Sequence, residues 1–392
     1  MLGGGFLQTY VINKAKQLGC RVLVLDADPQ APGFQLADDY AVINIVDENA
    51  CLKYAQSQGV DGVLTAATDF GVLSMSRIAE TMGLPGINYK SAQRIKNKAA
   101  VRKCLYDAGA DDTGYSFEID SFEKVPYILS QIKFPVMIKP CDGSGSRGAS
   151  RVDSAEGFAE ACRYAMSGSI SNHAVAEPFV EGREYGVESF VDHGRIHILG
   201  IMHKDMTMPP YYAELGHSLP SGLTDGKEEI IKDCVTKAIV ALEINHGSVN
   251  MDLLVSEDGS VHIVDVGARM GGNLIGSHIV PIGTGVDYMG NMIRAAVGES
   301  TDFSLVSAPC CVATRLLALT PGKVKALPDF EEIEQIHGVK IEHHLRVGDI
   351  IKEYHTNLDG CGYVVATGKE QDGAKRKAET VKSIIDRLII RE

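Results

Sequence analysis

No two cysteines in the sequence are spaced as Cys-x-x-Cys, and the nine present follow no regular spacing. That argues against a disulfide frame or a zinc site and reads as free thiols in a reducing compartment. No apolar run approaches the ~20 residues that a membrane-spanning helix needs. No charged n-region and apolar h-region open the chain; a glycine turn comes at once. The expected location is therefore cytoplasmic, away from membranes. Positive charge is in deficit: 38 lysines and arginines stand against 51 acids, a net charge of −13. This argues against nucleic acid as a general partner, but leaves room for a small anion in a local basic pocket. No Walker A motif, no GxSxG elbow and no Ser-His-Asp order occurs.

What is present points to a ligand-binding α/β protein. At roughly 150 residues per domain, 392 residues make two or three domains. Glycine, at 41 residues, is well above the usual ~7%, as turns and close backbone approaches to a ligand require. Residues 1–88 alternate helix and strand: Leu7 to Leu18, Arg21 to Leu25, Asn49 to Gln58, Val60 to Ala66 and Phe70 to Met82. Apolar strands between helices predict a parallel, doubly covered sheet. A strand should precede Gly3-Gly4-Gly5, yet only Met1 and Leu2 do; either that strand is a stub or the chain starts later than its relatives.

From about residue 89 the pattern changes. Ser91 caps a predicted helix that runs to Gly109. Shorter strands follow at Val136 to Lys139, Ala174 to Phe179, Tyr185 to Val191 and Arg195 to Met202, with Asp192-His193-Gly194 as a hairpin turn. A long amphipathic helix covers Thr224 to Leu242. Strands at Ser248 to Val255 and Ser260 to Val266 flank Asp258-Gly259. After about 305 come strands at Cys311 to Leu317 and Gly362 to Thr367, then a helix at Gly373 to Ile389.

Four constellations carry chemistry. Gly3 and Gly5 begin a GxGxxG pattern that Gln8 interrupts, with Asp26 at the distance of a ribose-binding acid; a structural or small-substrate turn competes with dinucleotide binding. Lys139-Pro140 leads into a run of glycines and serines ending at Gly148, suited either to phosphate oxygens or to a plain surface loop. Glu177 and Glu184 flank a strand end, as acceptors for adenine or ribose or as a solvated acidic turn. The hairpin gives the sharpest clue. A two-residue Asp258-Gly259 loop pairs Glu257 with Ser260, and counting back sets Asp252 opposite Asp265. Like charges on facing residues are destabilising, so a hard divalent cation such as Mg²⁺ is the natural compensation; the alternative is a register slip. Arg269 shares the parity of Asp265 and suits a transferring phosphoryl group. The histidines are scattered and mark no site.

Asn97-Lys98, Val136-Met137-Ile138-Lys139-Pro140, the Gly/Ser loop, Glu177-x-x-Val180 with Gly182-x-Glu184, Asp252, and Asp265-x-Gly267-x-Arg269 stand in the order of the ATP-grasp superfamily. The sequence resembles that superfamily over nearly its whole length. Thr320-Pro321-Gly322-Lys323-Val324 and the segment Pro209 to His217 resemble its L-amino-acid ligases. The resemblance implies a mixed α/β and α+β chain: a Rossmann-like preATP-grasp domain (1–88), a two-subdomain ATP-grasp fold (89–304, lid about 113–182) and a C-terminal domain (305–392) packed on it. It implies ATP and Mg²⁺ as cofactors, a small carboxylate and an amine as substrates, no nucleic acid or membrane partner, and a homodimer as one assembly.

By the same resemblance Lys98 and Lys139 contact phosphates, with Lys204 as a further contact. Glu177 and Val180 bind adenine, and Glu184 binds ribose. Ser144, Gly145, Ser146 and Gly148 close over the phosphates. Asp252 and Asp265 hold Mg²⁺, and Arg269 with Lys139 acts in catalysis. Two positions depart from the family: Asp265 stands where Glu is usual, and Gly267 where Asn is usual. Asn250 faces Gly267 across the hairpin, and is expected either to supply the missing metal oxygen or to bond a neighbouring strand or the acid substrate. The implied reaction is amide or peptide bond formation through an acyl phosphate. Carboxyphosphate chemistry and a nucleotide-binding protein without turnover are the alternatives.

Overall fold

The computed structural model describes residues 1–111, 113–143, 148–209 and 211–392. At the N-terminus the helices Gln8–Gln17, Glu48–Gln58 and Val72–Met82 form near their predicted places. Asp47 caps the second of these by accepting from the Ala50 N–H, and Gly59, at φ 59°, closes it. The parallel sheet is smaller than predicted. Leu23–Asp26 pairs in parallel with Asp39–Val42, a strand the sequence reading missed. The first strand is a stub: Leu2 makes single parallel bridges to Leu25 and Thr65. With so short a neighbour, the predicted strand at 60–66 cannot propagate a ladder, and only isolated bridges at Thr65 and Ala66 remain.

The glycine turn is structural. A Cβ on Gly4 would lie 2.9 Å from Val24 Cγ1, and one on Gly33 would lie 2.8 Å from the Gly4 backbone. Asp26, the candidate ribose acid, accepts instead from the N–H groups of Gly4 (2.7 Å) and Asp28 (2.9 Å).

The helix predicted from Ser91 to Gly109 is two helices, Tyr89–Ile95 and Lys98–Asp107. Asn88 caps the first, leaving Ser91 buried within it. Asn97 caps the second by accepting from the Ala100 N–H. This restart places Lys98 and Arg102 one turn apart, on one face.

An antiparallel four-stranded sheet follows in the order Phe117–Ile119, Ala174–Pro178, Val136–Pro140, Ser150–Val152. It packs on helix Ala155–Ser167 through a core that includes Ile138, Phe158 and Ala176. The main sheet has eight antiparallel strands, in the order Val261–Gly267, Gly247–Val255, Arg183–Asp192, Arg195–Met206, Glu214–Leu219, Cys311–Leu316, Gly362–Gly368, Val339–His343. Strands from beyond residue 305 thus continue the sheet that carries the site. Helix Asp225–Ala241 buries Ile231, Val235 and Ala238 in the core beneath Met251 and Leu253.

Two hairpins fix the register. His193 and Gly194, both at positive φ, form a two-residue turn between Asp192 and Arg195. The second hairpin differs from its expected form. Its loop spans 256–260, because Val255 pairs with Val261. An extra residue, Val264, then bulges between the pairs Leu253–Ile263 and Asp252–Asp265. The two deviations cancel, and Asp252 still faces Asp265.

Candidate active site

A cleft of about 850 Å³ opens between the four-stranded sheet, the hairpin edge of the main sheet and the N-terminal turn. Lys98, Lys139, Glu177, Val180, Glu184, Lys204, Asn250, Asp252, Asp265 and Arg269, all singled out in the sequence, line it. Ser144, Gly145 and Ser146 lie outside the described residues. Gly148, at φ 75°, packs on Pro140, where a Cβ would come within 2.7 Å of Pro140 Cγ.

One end of the cleft is built on Glu177. Lys139 Nζ lies 2.6 Å from its Oε1, and Arg102 Nε lies 2.7 Å from its Oε2. Burial alone would raise the Glu177 pKa, but Arg102 and Lys139 hold it below the usual carboxylate range. Burial lowers that of Lys139. The bulge serves this end too. It turns the Val264 carbonyl outward, where it accepts from Lys139 Nζ (3.0 Å) and Arg102 Nη2 (3.0 Å). Arg102 also bonds the Ile263 carbonyl and pairs with Asp111 at 3.3 Å.

At the other end each facing acid has its own lysine. Lys98 Nζ bonds Asp265, and Lys204 Nζ lies 2.9 Å from Asp252. Burial would raise the Asp265 pKa, but Lys98, then Lys139, bring it down. Lys204 also touches Glu184 (2.7 Å) and Glu214 (2.6 Å). An ammonium has three donors, and in this structure Lys204 spends them on three carboxylates. Burial pushes Asp252 up to about 6, against the pull of Lys204, because Glu214 and Glu184 crowd the same ammonium.

The space beside Gly267 is filled differently from the sequence expectation. A Cβ there would lie 3.0 Å from Arg269 Cζ and 3.0 Å from Asp69 Oδ1. The guanidinium occupies the vacancy, with Nη2 3.0 Å from Asp69 Oδ2. Asn250 does face Gly267, but its Nδ2 donates to Glu188 (3.0 Å) and its Oδ1 accepts from Arg269 Nη1 (3.3 Å). Both ends of the amide are engaged, Nδ2 by Glu188 on the neighbouring strand and Oδ1 by Arg269, so of the expected roles the bond to a neighbouring strand is the one observed.

Among the described residues no three or more His, Cys, Asp or Glu side chains converge as a metal cage. Asp252 and Asp265 nonetheless fit Mg²⁺, which is commonly held by one or two carboxylates together with substrate phosphates.

Residues 132–277 match the ATP-grasp domain family, and residues 315–386 match the L-amino acid ligase C-terminal domain 2. The chain is an ATP-grasp ligase. An uncharacterized protein y4rH of Sinorhizobium fredii is 27% identical over 386 residues, 96% of this chain and 79% of that one. A formate-dependent phosphoribosylglycinamide formyltransferase of Sulfurisphaera tokodaii is 25% identical over 404 residues, 98% of this ligase and 95% of that protein. The crystal structure of an L-amino acid ligase from Bacillus licheniformis has the same fold, with a TM-score of 0.84 at 21% identity, over 100% of this chain and 98% of that one.

Sequence reasoning missed several residues of the ligase cleft. Arg102 stands four residues after Lys98, a spacing that could have flagged it. Asp69 carried no signal, because its link to Arg269 spans 200 positions. Glu188 and Tyr288 are buried behind the cleft and read as ordinary strand and helix residues. None of the ligase's described helices is long and apolar enough to cross a membrane.

Proposed function

We propose that this ligase joins the carboxylate of an amino acid to an amine, using Mg·ATP. The observation that supports it best is the facing pair Asp252 and Asp265 in a cleft that also holds Lys98, Lys139 and Arg269. The match of residues 315–386 to an L-amino acid ligase domain supports the amino-acid class.

In this reading adenine lies against Glu177 and Val180, with its ribose near Glu184. The phosphates run toward Lys98, Lys139 and Arg269. Asp252 and Asp265 would hold Mg²⁺, which when bound neutralises phosphate oxygens. Lys98 is then free to turn from Asp265 to the phosphates.

A substrate carboxylate oxygen attacks the γ-phosphorus while the bond from that phosphorus to the bridging oxygen breaks. ADP leaves and an acyl phosphate forms. The amine nitrogen attacks the acyl carbon, loses a proton and expels phosphate. Arg269, fixed by Asp69 and Asn250, neutralises charge on the transferring group. The other residues position the reactants, the main protein contribution in phosphoryl transfer.

The test is phosphate release with Mg·ATP against amino acids, singly and in pairs. Release that needs one amino acid plus an amine supports the reading. Release driven by bicarbonate without an amino acid overturns it. Sedimentation of the same preparation reads the assembly state, for which a homodimer is the expectation.

A further inference from the structure

Glu188 lies within the strand Arg183–Asp192, fully buried, and the mechanism above does not use it. A carboxylate so placed is costly unless its oxygens are hydrogen-bonded. Three donors meet it: the Tyr288 hydroxyl and the Gly271 N–H (3.0 Å) on Oε1, and Asn250 Nδ2 (3.0 Å) on Oε2.

Three adjacent strands at the hairpin edge of the main sheet set Glu188, Asn250 and Gly267 in one row. Gly267 has no side chain, and the Arg269 guanidinium lies in its place. The row is therefore carboxylate, amide, guanidinium. An ionised carboxylate only accepts and a guanidinium only donates. The amide between them can satisfy both in one orientation alone, with Nδ2 toward Glu188 and Oδ1 toward Arg269. Glu188 also holds the backbone two residues beyond Arg269. Gly271 permits this approach, since a Cβ there would lie 2.8 Å from Glu188 Oε2.

We propose that Glu188 is the positioning residue that orients Arg269 toward the transferring phosphoryl group, acting through the Asn250 amide and the Gly271 N–H. The proposal rests on the reading of Arg269 as the phosphoryl-binding cation. Burial pushes Glu188 up to about 7 even with its donors in place, so the ionised form that fixes the amide prevails only above that pH, and the cycle below is read there.

A double-mutant cycle tests it. Glu188→Gln presents an amide donor to groups that need an acceptor, and frees Asn250 to turn its own donor toward Arg269. The expected result is a fall in kcat for ADP formation of about 10-fold or more, with KM for ATP within about twofold, as for residues that act through another group. Arg269→Lys should also fall. In the Arg269→Lys background, Glu188→Gln should then add less than about twofold.

Full additivity of the two losses overturns the proposal. Wild-type kcat in Arg269→Lys overturns the reading of Arg269 on which it rests, and is distinguished by that single variant. If Glu188→Gln fails to fold, Asn250→Ala takes its place, severing the link while Glu188 stays. It should show the same kcat-specific, non-additive loss, and an unchanged kcat overturns the proposal.

Discussion

Asp252 stands directly across the hairpin from Asp265, and each carboxylate meets a different lysine: Lys204 at 2.9 Å for the first, Lys98 for the second. The lysines offset a repulsion that would otherwise weaken the strand pair. Neutralising either acid should show in the Mg²⁺ dependence. Asp265→Asn should raise the Mg²⁺ concentration for half-maximal ADP formation by about tenfold or more, because it removes a hard ligand. Asp252→Asn should do the same, and leaves Lys204 still paired to Glu184 and Glu214, so unfolding temperature should hold. A Mg²⁺ titration of ADP release checks both; unchanged Mg²⁺ dependence in either variant removes that residue from the metal set.

Gly267→Ala tests what fills the gap beside the metal pair. The added Cβ meets the far end of Arg269, a flexible side chain that can shift. The fold should survive, with unfolding temperature within a few degrees of wild type. Turnover should drop about tenfold or more, since a cation moved by even 1 Å loses much of its effect on the transition state. Wild-type turnover would show that Arg269 need not occupy that space.

The Lys139→Ala variant separates charge from packing. Loss of a preorganised cation is worth ~3 kcal/mol, so ADP formation should fall about 100-fold or more. From sequence alone Lys139 reads as a solvent-accessible cleft lysine whose loss leaves stability unchanged. The structure buries it against Glu177 and the Val264 carbonyl, so its removal should also lower the unfolding temperature. Arg102 still pairs Glu177, which keeps the cost below the ~3–5 kcal/mol of a fully orphaned buried charge. Near-normal ADP formation would contradict the assignment.

The pairing of Asp252 with Asp265 was legible because strand parity and a turn signal are local. Even so, it came out right through two deviations that cancel: a longer loop, and a bulge at Val264. Neither left a mark in the sequence. The bulge is where function gains most, because it exposes the carbonyl that holds Lys139 and Arg102. The helix break at Lys96-Asn97 was legible in principle, since Asn97 is a good cap, but Ser91 looked equally good and took its place. Glu188, Asp69 and Tyr288 meet Arg269 or its partners only after distant segments dock. No periodicity reports such contacts. Facing residues could be counted, as Asn250 and Gly267 were, but what fills a vacancy between them depends on a third chain segment.

His217 gives a pH prediction with a definite sign. It is 1% exposed, and neither ring nitrogen has a hydrogen-bond partner among the described residues; its Nε2 lies 4.0 Å from Glu214 Oε2. Burial lowers its pKa from 6.5 to about 4, with Glu214 opposing. The unfolded chain takes up this proton as pH falls through about 6.5, whereas the folded chain does not until about 4. Stability is thus unaffected by His217 above that window, falls progressively within it, and loses nothing further below it. The shift corresponds to a loss of ~3 kcal/mol across the window. Glu177, whose pKa is lowered, adds its own loss only in more acidic solution, below the usual Glu range. Glu188 and Asp252, raised to about 7 and about 6, take up protons in the folded state across the same window and oppose the loss. The readout is therefore a difference: urea unfolding at pH 7, 6 and 5 should show wild type losing stability relative to His217→Phe, which keeps a ring in the same space but binds no proton. Parallel slopes for the two proteins would mean that His217 takes up its proton in the folded state, through Glu214 or a water, and that its burial is not what sets its pKa.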